Sequence, residues 1–260
     1  MKISLNKENV QKIKQLLILC PSNFSFIPLK LYKDLEGNEF VSVETISING
    51  DIVFSGRVSI SDSLTDLEAG TGMIVRLPLT KPVVHTIFGG NFETVEISKT
   101  KIYAKDSRKK LDIALYKLED DEQTEFPFES KELFELVKEM NHVEQLPFIS
   151  LDLEAVDLKD IISGFAIIND ATNIEIKNNK KGLNFKVEDF SGNSFNYSLD
   201  TEVSDEFDCK FDNNFIKLLG TAFRNKELYS TEFLFSPLIF STTLKNNDLI
   251  VTIATTAIKE

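Results

Sequence analysis

Histidine and cysteine are scarce: His85, His142, Cys20 and Cys209 are all that 260 residues contain. A histidine-based triad or a zinc site needs several such side chains to converge, so each histidine is better read as satisfied or exposed. Two cysteines are too few for a disulfide framework. Each sits in apolar or strand-like surroundings, so both are read as reduced, with Cys20 in the core. Gly89-Gly90 lacks the Lys-Ser or Lys-Thr that completes a phosphate loop. The acidic runs Glu119–Glu122 and Asp205–Asp208 have no supporting ligands and read as solvated surface. No catalytic residue, metal or cofactor is therefore expected. Long apolar runs are also missing. None approaches the ~20 residues of a membrane span, and Met1-Lys2-Ile3-Ser4-Leu5-Asn6-Lys7 has no apolar secretory region. The expectation is a cytoplasmic protein without membrane contact.

What is present is apolar and strand-like. With 42% hydrophobic residues and 21 Phe, the chain can fill one large core or two of about 130 residues each. Asn23–Lys33, Glu39–Asn49, Asp51–Ser61, Phe92–Asp106, Leu111–Leu118, Gly182–Phe190, Asn193–Leu199 and Leu249–Ile258 are rich in Phe, Ile, Val and Thr, often alternating with polar residues. Turn chemistry at Glu36-Gly37-Asn38, Asn49-Gly50-Asp51, Asn178–Gly182, Ser191-Gly192-Asn193 and Asn246-Asn247-Asp248 separates them, which predicts antiparallel sheet.

Four segments change to helical spacing. Lys7–Leu19 puts Val10, Ile13, Leu16, Leu17 and Cys20 on one stripe, with Lys7, Gln11 and Lys14 opposite. Asn213–Lys226 lines up Phe215, Leu218, Leu219, Ala222 and Phe223, with Lys217 and Arg224 on the other face. Asp157–Asn169 is a third, with Asp157 as its cap and Gly164 a weak point. Leu79–Phe88 carries Pro82 in its first turn. The order strand, helix, strands, helix, strands occurs twice, opening on Ile3-Ser4-Leu5 and again on Ile149-Ser150-Leu151. Two similar domains follow, residues 1–120 and 148–260, joined by a connector over 121–147 that contains Phe126-Pro127-Phe128 and a helical pattern over Ser130–His142.

A net charge of −12 argues against nucleic acid unless it is unevenly spread. It is uneven. Lys7–Ile18 carries +2, Leu79–Gly90 +1, Val156–Asn169 −1 and Asn213–Lys226 +3, so these segments hold +5 and the remainder −17.

The duplicated two-helix domain, the connector, the length and the acidic balance resemble the DNA polymerase sliding clamps built from three two-domain subunits. The likeness is nearest to clamps of T-even-like bacteriophages, through Met1-Lys2-Ile3-Ser4-Leu5 with its following helix, Phe126-Pro127-Phe128 and Leu153–Ile162. Ile174-Glu175-Ile176 with Gly182-Leu183-Asn184-Phe185 resembles paired strands of clamps generally. This resemblance implies an α+β DNA-clamp fold, two similar domains each with two helices against antiparallel sheets. It implies a non-enzymatic homotrimeric ring around duplex DNA, without sequence specificity, with a replicative DNA polymerase and a clamp loader as partners. The helices would then line the hole, with Lys7, Lys12, Lys14, Lys81, Lys217, Arg224 and Lys226 facing phosphate. Subunit joints would pair Leu111–Lys117, through Leu111, Ile113 and Leu115, with Phe195, Tyr197 and Leu199 of a neighbour. A partner peptide would lie by Phe126, Phe128 and Ile258. The rivals are a structural or virion β-rich protein, a carbohydrate-binding sandwich, and a monomeric clamp-fold polymerase accessory held by charge.

Overall fold

The computed structural model describes residues 2–20, 26–47, 50–78, 86–89, 92–115, 126–152, 155–168, 171–179, 182–200, 206–212, 215 and 230–258. The chain divides into two units, Met1–Phe126 with Asn247–Val251, and Pro127–Asn246 with Thr252–Glu260. The first contains β1 (Lys2–Leu5), α1 (Lys7–Leu19), β2 (Phe26–Lys33), β3 (Glu39–Ile46), β4 (Ile52–Ile60), β5 (Gly72–Pro78), β6 (Thr94–Ser98), β7 (Lys101–Lys105) and β8 (Lys110–Ala114). The second contains α2 (Ser130–Met140), β9 (Ile149–Asp152), α3 (Ala155–Ile167), β10 (Asn173–Asn179), β11 (Gly182–Glu188), β12 (Ser194–Leu199), β13 (Phe207–Asp212), β14 (Ser230–Phe235), β15 (Ile239–Lys245) and most of β16 (Leu249–Thr256).

The two units share one topology. Strand orders are β1-β6-β7-β8 and β5-β2-β3-β4 in the first, and β9-β14-β15-β16 and β13-β10-β11-β12 in the second. In each, the opening strand pairs with the sixth, and the second strand lies between the third and fifth. The first unit also seats Asn247–Val251 beside β4, where the Ser59 N–H donates to the Asp248 carbonyl at 2.8 Å.

Helix α1 shows why the sequence packs as it does. Asn6 caps it, its Oδ1 accepting the Asn9 N–H at 2.8 Å, which satisfies one of the orphan donors of the first turn. Val10, Ile13, Leu16 and Leu17 form the buried stripe, and Cys20 is buried beyond it. Buried Asn9 ties the helix to the segment after β4, donating through Nδ2 to Ser61 O at 2.5 Å and Ser63 Oγ at 2.7 Å. The close approach of helix to sheet depends on Gly56 in β4, where an added Cβ would lie 2.5 Å from Leu16 Cδ1 and 3.0 Å from Val251 Cγ2.

Several expectations are corrected. Phe92–Asp106 is not one strand but the β6–β7 hairpin, because Ser98 Oγ accepts the Lys101 N–H at 3.2 Å and closes a turn. Asp157 does not cap α3; the helix already starts at Ala155. Strands β5, β13, β14 and β15 add to those expected, and β10, expected only from the resemblance at Ile174-Glu175-Ile176, is present. In β15 and the end of β14 both faces are buried, so the apolar-polar alternation that marks a half-exposed strand is absent. The β13 strand grows out of the acidic run read as solvated surface: Cys209 and Phe211 alternate inward, while Asp208 pairs with Lys177 at 3.0 Å. The Ser130–His142 pattern is helical as α2. His142 ends it at φ 55°, with the His142 N–H on Glu139 O and the Val143 N–H on Lys138 O, a left-handed C-terminal cap. His85 and Glu119–Glu122 lie outside the described residues.

Gly56→Ala is expected to lower the unfolding free energy by about 1–3 kcal/mol, since Leu16 has no space into which to withdraw. Urea unfolding checks this; an unchanged midpoint would mean that the helix and strand are not so closely packed.

Candidate nucleic-acid interface

The amphipathic helix α1 turns its polar face away from the sheet. Lys7 is exposed and Lys14 half-buried, and among the described residues neither has a carboxylate partner. Lys14 reaches toward the helical residues Thr86–Gly89, its Nζ lying 3.8 Å from where a Cβ on Gly89 would be. Lys12 differs. It is bridged to Glu8 at 3.4 Å and to Asp248 at 3.3 Å, so two carboxylates offset its charge and its contribution to an anion-facing surface is smaller than that of Lys7 or Lys14. Lys81, Lys217, Arg224 and Lys226 lie outside the described residues; of the segment bearing the last three, Phe215 is helical and fully buried.

In the second unit, α3 rests on β12 through an aromatic contact that explains its glycine. A Cβ at Gly164 would lie only 2.0–2.3 Å from three carbons at the tip of the Phe195 ring, and that ring meets Phe165 edge-on, centroids 5.8 Å apart. Gly164 thus disfavours the helix by propensity yet is required by packing.

The six residues assigned to subunit joints all lie at or beside sheet edges. β8 ends the order β1-β6-β7-β8, and β12 ends β13-β10-β11-β12. Leu111 and Ile113 face Ala104 and Ile102 across the register; Phe195, Tyr197 and Leu199 face Val187, Phe185 and Leu183. Those facing residues are buried, whereas the six edge residues, Leu115 included, are only half-buried. Each row is therefore the inward face of a sheet, completed on one side only. Side chain and backbone divide the work: Phe195 packs within its own unit, and the strand's outer N–H and C=O groups form the edge.

The three residues expected beside a partner peptide are held by bonds to their main chain on different elements. Ser55 Oγ of β4 donates to Phe126 O at 3.1 Å, Thr252 Oγ1 of β16 to Phe128 O at 2.7 Å, and the Ile258 N–H to Lys210 O of β13 at 2.8 Å. Phe126 and Phe128 are half-buried, and Ile258 is 40% exposed.

Neither thiol is set up as a nucleophile. Burial alone pushes the Cys20 thiol far up, and burial with the charge of Asp208 pushes Cys209 up to about 12, so both stay protonated at neutral pH. Among the described residues, no helix is long and apolar enough to cross a membrane.

No family model and no curated protein matches this sequence. Solved structures do. PCNA of A. fulgidus, bound to the C-terminal region of FEN-1, is 9% identical with a TM-score of 0.62, over 100% of this chain and 98% of that one. Proliferating cellular nuclear antigen from Entamoeba histolytica is 11% identical with a TM-score of 0.67, over 99% and 98%. The PCNA2-PCNA3 complex from Sulfolobus tokodaii gives 11% and 0.66 over the full length of both chains. The chain has the α+β clamp fold of PCNA.

Two variants test this geometry. Gly164→Ala is expected to destabilise by about 1–3 kcal/mol despite its gain in helix propensity; adding Phe195→Leu should recover part of the loss. Additive losses in denaturant unfolding would show that the two positions do not compete for space. The second test concerns Glu232, which joins α2 to the sheet through Lys131 at 3.2 Å and Ser150 Oγ at 2.5 Å. Partial burial raises its carboxyl, but the bonds from Ser150 and Lys131 outweigh that and leave it below the usual carboxylate range. A depressed folded value adds stability above the unfolded value, lost as pH falls through the folded one. Glu232→Gln should therefore lower Tm near neutrality and reduce the loss of Tm on acidification below about pH 4.5.

Proposed function

We propose that this chain is the subunit of a sliding clamp that encircles duplex DNA and tethers a replicative polymerase for processive synthesis. The observation that carries the reading is the position of the two open strand edges within a duplicated topology. In the first unit, the outer edge of β4 is occupied by Asn247–Val251, Ser59 lying by Asp248 and Gly56 by Val251 in antiparallel sense. By the shared topology, β12 is the counterpart of β4, and β8 is the counterpart of β16. Both lie at the end of their sheets. The same joint made between copies, β8 of one against β12 of the next, would pair both edges and continue the inward rows of Leu111, Ile113 and Leu115 with Phe195, Tyr197 and Leu199. Three two-domain copies would close the ring, with domains over 1–120 and 148–260 and a connector over 121–147.

The helices would then face the hole. Lys7 and Lys14 supply positive charge there with Lys81, Lys217, Arg224 and Lys226, while the acidic remainder of the chain repels DNA from other surfaces. Contact of this kind is loose and carries no sequence information. Retention comes from closure, because a ring leaves a circle only by opening a joint, and the attached polymerase gains effective concentration at the primer end. A loader to open the ring, a peptide seat by Phe126, Phe128 and Ile258, action in the cytoplasm and a phage-like origin belong to the same reading.

Light scattering should give a trimer mass that is constant on dilution, and the trimer, once loaded on nicked circular DNA, should stay bound in high salt and leave when the circle is cut. A monomer at all concentrations, or release by salt alone, would replace encirclement with simple adhesion.

A further inference from the structure

Outside the helices, positive charge is concentrated at the tip of the β7–β8 hairpin. Lys105 ends β7, Lys110 opens β8, and Asp106, Ser107, Arg108 and Lys109 connect them. Lys105, Arg108, Lys109 and Lys110 are all exposed, and among the described residues none of the four has an ion-pair partner. The tip's only acid, Asp106, is bound by its own backbone and offsets part of the charge of Arg108 and Lys109, leaving the tip with a net excess of positive charge. Asp106 Oδ1 accepts the N–H groups of Arg108 at 2.6 Å and Lys109 at 2.8 Å, and the Asp106 N–H donates to Lys109 O at 3.0 Å. The turn is thus fixed with its four cations pointing outward.

The register makes this arrangement costly. Lys105 stands directly opposite Lys110, and like charges in that position destabilise a sheet. Among the described residues, the other directly opposed charges are of opposite sign with one exception. Lys33 stands opposite Glu39 with a bridge of 3.5 Å, Lys177 opposite Asp208 at 3.0 Å, and Glu175 between Lys186 and Lys210. The like pair Asp152 and Glu232 is offset by Lys131, 3.2 Å from Glu232. The lysine pair has no such counter-ion within the described chain. A local rule broken without internal compensation marks a place where a ligand supplies what is missing.

The ligand's chemistry follows from what the tip lacks. Lys105–Lys110 contains no apolar side chain, so a protein partner would have no anchor to bury there, whereas a chain of evenly spaced anions would offset all four charges. We propose that Lys105, Arg108, Lys109 and Lys110 form a phosphate-contacting tip for nucleic acid, separate from the helix lysines. Contacts of this kind are to the backbone and independent of sequence. They require neither closure of a ring nor a partner protein, so the proposal goes beyond the ring reading.

Binding to a short linear fluorescent duplex, followed by anisotropy over a range of salt, tests it, because such a duplex reports direct binding and not topology. Replacing all four cations by Gln should weaken binding at low salt about tenfold or more and reduce the slope of log Kd against log salt by about one for each phosphate no longer neutralised. Lys105→Glu should do two things at once: raise Tm, by turning a repulsive pair into an attractive one, and weaken DNA binding. A residue of purely structural importance would change only the first. Lys7→Gln with Lys14→Gln reports the helix face separately. Unchanged affinity and slope in the fourfold variant would overturn the proposal, as would loss of binding to a polyglutamate peptide with DNA binding intact, or no affinity of the unaltered chain for duplex at low salt. Failure to form trimers would leave this assay readable.

Discussion

Unpaired backbone groups along a strand edge are the constraint on which the rest of this structure depends. An edge strand presents a row of N–H and C=O groups that water satisfies only while no strand takes its place. In the first unit the chain meets that demand itself, seating Asn247–Val251 against β4. The corresponding edges of β8 and β12 end their sheets with half-buried apolar rows behind them. Pairing of those edges between copies would repeat a joint the chain already makes once.

A net negative charge opposes approach to any polyanion unless positive charge is localised. A net −12 repels a polyanion at long range, but over roughly a Debye length the nearby groups decide. The α1 face shows the discrimination: Lys12 is offset by Glu8 and Asp248, whereas exposed Lys7 and half-buried Lys14 have no carboxylate partner among the described residues. The hairpin tip at Lys105–Lys110 shows it again, where four cations face the single acid Asp106.

Parts of this were legible from residue order, and the reasons differ from element to element. The stripe of Val10, Ile13, Leu16 and Leu17 announces α1 because a period of 3.6 is set by local geometry. Strands with one wet face, such as β10 and β11, alternate visibly. The end of β14 and most of β15 do not, since both faces are buried there and the alternation vanishes. Gly164 reads as a helix weakness; its justification, the ring of Phe195, lies 31 residues away in the chain. Lys12 reads as another free cation because its partner Asp248 comes from the far end of the sequence.

The sequence by itself determined the strand-rich class, the recurrence of a strand followed by a helix at β1-α1 and β9-α3, and the helix over Ser130–Met140, because each depends on neighbours in the chain. Tertiary structure alone decided which strands end their sheets, which lysines keep an unpaired charge, and which glycines are indispensable. Those depend on what packs across a sheet or opposite in register, and no local pattern encodes the identity of a partner many residues distant.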